Sequence, residues 1–115
     1  MKPSVCAAAF LATSAFAVPL WAQDDGGDPR AGRALAQDVC AECHATQPQQ
    51  PRSPNPRAPT FLELATTPGM TRSALTVALT TPHAGMPMFR LTPEQRADIM
   101  AYVLSLKQSA PPPGK

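Results

Sequence analysis

Two thiols and an imidazole lie within five residues of one another, in the run Cys40-Ala41-Glu42-Cys43-His44. A thiol can add across a carbon–carbon double bond: its sulfur forms the new C–S bond and its proton passes to the neighbouring carbon. Two thiols separated by two residues can reach two vinyl groups on neighbouring edges of one porphyrin. The histidine that follows is then carried under the metal at the centre of the ring. C-x-x-C-H is the pattern of c-type haem attachment, and a histidine nitrogen is the usual axial ligand of such iron. Cys40 and Cys43 are the expected thioether donors, and His44 the expected proximal ligand.

Other chemistry for the same residues is weaker. A zinc site needs about four ligands, and beyond Cys40 and Cys43 the chain has only two histidines, His44 and His83. His44 directly follows Cys43, which makes joint chelation of one ion awkward. A thioredoxin-like redox pair belongs to a βαβ pattern, and no strand pattern precedes Cys40. A disulfide closing so small a loop would constrain little. A second group of chemically useful side chains is His83-Ala84-Gly85-Met86-Pro87-Met88-Phe89. A thioether bound opposite histidine fills the sixth position of haem iron and raises its potential. Methionine is also a pliable core filler, so the residues alone leave Met86, Met88 and His83 open.

The remaining sequence must position these groups with modest means. The chain has 115 residues, a formal charge of +2, 43% apolar but only 5% aromatic residues, 15 prolines and 6 glycines. This length suits one small domain. The composition excludes a collagen-like repeat, an acidic disordered tail and a strongly basic nucleic-acid binder. Three cysteines are too few for a disulfide scaffold. Met1-Lys2 is followed by an apolar run from Val5 to Val18, then Leu20-Trp21-Ala22 and the polar stretch from Gln23 to Gly27. The run is shorter than the ~20 apolar residues of a spanning helix and reads as a secretory signal peptide. A cut after Ala22 (Ala17 being the alternative) leaves a chain of formal charge +1, with Phe61, Phe89 and Tyr102 as its aromatic residues. Such a chain is marginal without a staple. A covalently bound cofactor would supply it.

The expected organisation is a signal peptide at 1–22, a linker at 23–27, one domain at 28–107 and a flexible proline-rich tail at 108–115. Asp28-Pro29 starts a helix that runs into Cys40, with Leu35 and Val39 on one face and Gly32 and Ala36 as a small-residue stripe. Five prolines between Gln47 and Pro59 exclude a helix or central strand there, leaving an ordered extended loop or a flexible insertion. Thr60 caps a short helix to about Thr66, ended by Pro68-Gly69. A third helix is expected from about Thr71 to Leu79, stopped before Pro82. Thr92, Pro93 and Gln95 form a capping box for the last helix. Its apolar stripe is Ile99, Tyr102, Val103 and Leu106. No strand is expected, so the class is all-α.

From about Asp28 to Leu106 the chain resembles a class I, monohaem c-type cytochrome of the bacterial periplasm. The resemblance rests on C-A-E-C-H at 40–44, Ala-Pro-Thr-Phe at 58–61, His-x-x-Met-Pro at 83–87 and the Ala-Tyr-Val-Leu-Ser-Leu ending at 101–106. It implies a cytochrome c-like fold, about four short helices around one covalent haem c. It also implies Met86 as the distal iron ligand to His44's proximal one. Pro59 (Pro56 being the alternative) would correspond to the loop proline whose carbonyl accepts a hydrogen bond from the histidine's other ring nitrogen. Gly32 and Tyr102 match a small-against-aromatic contact where the first and last helices cross. The departure is the stretch from Gln47 to Arg57, whose path the family pattern does not give.

The function expected on this reading is electron transfer without catalysis, because iron bound by histidine and methionine has no open position. The expected partners are a donor dehydrogenase and an acceptor oxidase or another cytochrome, met by a monomer in the periplasm. No nucleic acid and no stable membrane insertion of the mature chain are expected. With little net charge to steer association, docking would be a small, mostly apolar, transient contact around the haem edge. The alternative is a haem c subunit docking onto a larger dehydrogenase or oxidase complex. Arg52 and Arg57 would either reach haem propionates or form a solvated face. Met70 and Met100 are expected to be packing residues, and His83 a hydrogen-bonding loop residue.

Overall fold

A computed structural model describes residues 26–110. The expected signal peptide at 1–22 and the triple proline at 111–113 lie outside the described residues. Four α-helices follow in order: α1 (Pro29–Val39), α2 (Phe61–Thr66), α3 (Arg72–Thr80) and α4 (Pro93–Ser105). A 3-10 turn, Leu106–Ser109, completes them. Among the described residues there is no strand, only a single antiparallel bridge between His83 and Met86. The architecture is all-α, as expected. No helix among the described residues is long and apolar enough to cross a membrane.

Short helices need local help, since the first turn fixes several residues for one hydrogen bond. Each α-helix here has it. The Asp28 side chain accepts from Arg30 N and Pro29 occupies the first turn of α1. Thr71 caps α3 by accepting from Ala74 N. Thr60 with Glu63, and Thr92 with Gln95, form reciprocal capping boxes at α2 and α4. Each box satisfies two backbone donors that would otherwise lack partners.

The most extensive packing is α1 against α4, and it depends on small residues. Gly32 and Ala36 are the buried positions of α1, while Leu35 is only partly buried. A Cβ at Gly32 would overlap the Asp98 carbonyl of α4. At Gly32 the crossing brings backbone against backbone, glycine against the Asp98 carbonyl. Tyr102, one turn further on, turns its ring toward Phe61 at 6.3 Å between centroids. Its hydroxyl donates to the Thr46 carbonyl at 2.7 Å. Ile99, Met100, Tyr102, Val103 and Leu106 join Phe61, Ala65 and Leu75 in the core.

The residues flanking the expected domain make contacts of their own. The linker's last residues are already part of the fold. Arg72 Nη2 donates to the Gly26 carbonyl at 2.7 Å, and Gly27, at φ +68°, lies so close to α4 that a Cβ would overlap the Ala97 backbone. At the other end, the chain expected to be flexible from Gln108 continues as the 3-10 turn to Ser109. Leu106 is buried, and Lys107 Nζ donates to the Met70 carbonyl at 2.7 Å, fastening this turn to the link between α2 and α3.

The crossing and the tyrosine give two expectations. Gly32→Val should cost about 1–3 kcal/mol by overpacking, seen as a fall in melting temperature of the haem-loaded protein of roughly 4–8 °C per kcal/mol. Burial pushes the Tyr102 phenol above its ordinary value. An acid raised in the folded state leaves stability intact below its unfolded value near 10 and erodes it as pH rises through the folded value. Urea unfolding at pH 8 to 11 should show that loss. Tyr102→Phe should remove it, at a cost of about 1 kcal/mol at neutral pH for the missing hydrogen bond.

Candidate cofactor site

The residues singled out for chemistry meet at a single cleft of about 680 Å³, within the 300–1,000 Å³ range of small-molecule sites. Cys40, Cys43 and His44 line it from the end of α1, and Pro59 lies beside them. Phe61 and Leu64 of α2, Leu75 and Leu79 of α3, and Ile99, Met100 and Val103 of α4 supply apolar surface. Met86 and Phe89 come from the loop between α3 and α4.

The attachment segment is shaped by a turn after α1. Cys40 is the C-cap residue, and its carbonyl accepts from Cys43 N at 3.1 Å and from His44 N at 2.9 Å. These bonds wind the chain so that both thiols and the imidazole face one space. His44 Nδ1 lies 2.7 Å from the Pro59 carbonyl oxygen. A carbonyl can only accept, so Nδ1 carries the proton and Nε2 keeps its lone pair for a metal. The same bond selects Pro59 over Pro56. The Phe61 ring packs beside the imidazole at 5.6 Å and 58°. Phe61 N donates to the Ala45 carbonyl at 2.9 Å, locking α2 to the segment just after His44.

The proline-rich loop is ordered and folds back on the attachment segment. Asn55 N donates to the Cys43 carbonyl at 3.1 Å, and Ala45 N donates to Ser53 Oγ at 2.9 Å. Asn55 and Arg57 thereby line the cleft, whereas Arg52 does not. In the distal loop, Gly85 takes φ +83°, a left-handed conformation suited to glycine. Met86 N donates to the His83 carbonyl at 3.3 Å in a tight turn. Met86 is partly buried and lines the cleft; Met88 is 52% exposed and does not. His83 lines the cleft at an exposed position, its Nδ1 donating to the Thr81 carbonyl at 3.2 Å.

Two further thioethers, Met70 and Met100, also face the cleft. The sulfur of Met100 accepts from Thr76 Oγ1 at 3.3 Å, a packing arrangement in which it already has a partner. Its position three residues before Val103 on α4 was the available clue. Met70 packs against the core and its carbonyl holds Lys107.

The electrostatics at Cys40 disfavour thiolate chemistry there. Burial pushes the Cys40 thiol up to about 11, so it is neutral at pH 7. A redox-active or metal-binding cysteine is instead marked by a lowered value. Cys40 and Cys43 are both free thiols. Among the described residues, no three His, Cys, Asp or Glu side chains gather as a metal site would require. Two free thiols, one free imidazole nitrogen and a largely apolar cleft suit a flat hydrophobic macrocycle held at its edge.

Comparison with known proteins agrees. The family model described as "Cytochrome c" matches residues 29–107. Cytochrome c-552 of Bradyrhizobium diazoefficiens is 34% identical over 76 residues, covering 66% of this chain and 72% of that protein. No solved structure matches the chain.

Exported protein should exceed its chain mass by one haem and keep a peroxidase-staining band on a denaturing gel. A Cys40→Ala, Cys43→Ala double variant should lose both signals, and covalent haem persisting in it would contradict the attachment assigned to these thiols.

Proposed function

The chain belongs to the cytochrome c family, and from that premise we propose that it is a periplasmic carrier of single electrons, with haem iron held between His44 and Met86. That it is an electron-transfer haem c protein follows from the family; the ligands and the compartment are this reading's own. The haem supplies the one-electron chemistry. The chain's residues attach it, exclude water from it and set its potential.

Each named residue has one task on this account. Cys40 and Cys43 hold the porphyrin edge through thioethers. The Pro59 carbonyl accepts a hydrogen bond from His44 Nδ1–H, which keeps the ring oriented and increases the basicity of Nε2. Phe61, Leu75, Ile99 and Val103 exclude water from the macrocycle's faces. A medium that changes little between oxidation states makes electron transfer easy, because little solvent has to reorganise. With His44 and Met86 both holding the iron, no position on it would be left for a substrate, which favours a carrier over an enzyme. The apolar run before Ala22 supports export to the periplasm.

The observation that carries the ligand assignment is the difference between the loop's two methionines. Met86 faces the cleft from a turn stiffened by Pro87, whereas Met88 points to solvent. Met86→Ala should vacate the sixth position, abolish the near-infrared sulfur-to-iron band, lower the potential and admit carbon monoxide. Met88→Ala should leave these properties nearly unchanged. The reverse outcome would transfer the role to Met88, and no spectral change in either variant would point to His83.

A further inference from the structure

We propose that Asp25, the residue before Gly26, pairs with the Arg72 guanidinium and straps α3, one wall of the cofactor cleft, to the start of the fold. The pairing stands on the geometry around Arg72, while its meaning for a cofactor rests on the haem reading of the cleft. Leu75, Ala78 and Leu79 of α3 line that cleft. Among the described residues α3 packs on a single other helix, α4. A wall held by one neighbour opens more easily than one held by several.

The fastening begins at Arg72, the first residue of α3. Its Nη2 donates to the Gly26 carbonyl at 2.7 Å, whereas Nη1 is buried and has no hydrogen-bond partner among the described residues. A buried guanidinium nitrogen without an acceptor is costly. The nearest acidic side chains are used elsewhere: Asp28 accepts from Arg30 N, and Asp98 accepts from Asp28 N. Asp38 sits at the other end of α1, about 15 Å along its axis from Asp28. The residue before Gly26 is Asp25. Its Cα is about 3.8 Å from that of Gly26, and Nη1 shares its carbon with the Nη2 already bound to the Gly26 carbonyl. A carboxylate at position 25 is therefore within reach of Nη1. Both cuts read from the sequence, after Ala22 or after Ala17, leave Asp25 in the chain. The positive end of the α3 dipole favours a carboxylate at the same place.

The strap acts where the cleft is held least. Gly27 lies against the α4 backbone at Ala97, and Gly26 is bound by Arg72 of α3, so this short stretch bridges the two helices. A charged pair at Asp25 strengthens the α3 side of that bridge. From its far end α3 leads into the loop that carries Met86, so loosening α3 opens the distal side of the cleft.

The test is amide hydrogen exchange on the exported, haem-loaded protein and its Asp25→Asn, Asp24→Asn and Arg72→Gln variants, with uptake of added imidazole by the oxidised protein as a second readout. Asp25→Asn should speed exchange of the α3 amides by roughly tenfold, the scale of one charge-assisted hydrogen bond, and imidazole uptake should quicken with it. Arg72→Gln, which also loses the Gly26 bond, should speed exchange further. Adding Asp25→Asn to Arg72→Gln should then change nothing more. Asp24→Asn should match the parent. Unchanged α3 exchange in Asp25→Asn would overturn the strap. An equal effect of Asp24→Asn, or an undiminished effect of Asp25→Asn on top of Arg72→Gln, would also overturn it, by reducing the effect to general charge. Faster α3 exchange with unchanged imidazole uptake would separate the strap from the cleft and overturn its proposed role. Each of these failures with an intact visible haem spectrum leaves the cytochrome reading standing, whereas absence of haem from the parent protein would remove that reading itself.

Discussion

The core and the cofactor cleft of this protein share the same walls. Phe61, Leu75, Ile99, Met100 and Val103 all belong to the buried apolar cluster, and all line the cleft. In a larger domain a ligand site is carved beside a core that closes on itself. Here filling the cleft and completing the core are one event. The described residues, with three aromatic side chains, have little other apolar surface to bury. The covalent attachment at Cys40 and Cys43 makes the filling permanent, so stability does not depend on a binding equilibrium. Function and folding consequently draw on the same residues.

The surrounding elements make sense under that constraint. Helices of 6, 9, 11 and 13 residues are too short to persist alone. Their caps set where each begins, and their apolar faces acquire value by meeting around one group. The α1–α4 crossing at Gly32 brings two backbones together without bulky side chains, so the larger residues of α4 remain available to the cleft. The His44–Pro59 bond then links the end of α1 to the start of α2 through the imidazole of the attachment motif. A distal loop with a left-handed Gly85 and the stiff Pro87 completes the enclosure.

What could be read from the sequence follows the range of the interactions involved. Caps such as Thr92–Gln95 act over three residues, and α4 begins where they indicate. The five-residue attachment motif is likewise local, and its residues do meet at one cleft. The close approach of the Asp98 carbonyl to Gly32 was not legible. It depends on which turn of α4 arrives there, and the atom that arrives is a backbone carbonyl common to every residue type. The path from Gln47 to Pro59 was hidden for a similar reason. Prolines showed what the loop could not be, but its course is set by long-range bonds from Asn55 to Cys43 and from Ala45 to Ser53. For that reason Arg52 and Arg57 looked alike in sequence and differ in structure. The contacts at the two ends were hidden as well, because Gly27 and Lys107 meet distant partners, not their neighbours.

The central claim is that this polypeptide has no complete core without its haem. It is tested most directly by amide hydrogen exchange on the chain made without haem, compared with the haem-loaded protein. The account predicts strong protection of α1 and α4 amides in the loaded protein and its near-complete loss in the haem-free chain, with collapsed amide dispersion. Native-like protection of those two helices in the haem-free chain would contradict it, since the core would then be closing without the group proposed to complete it.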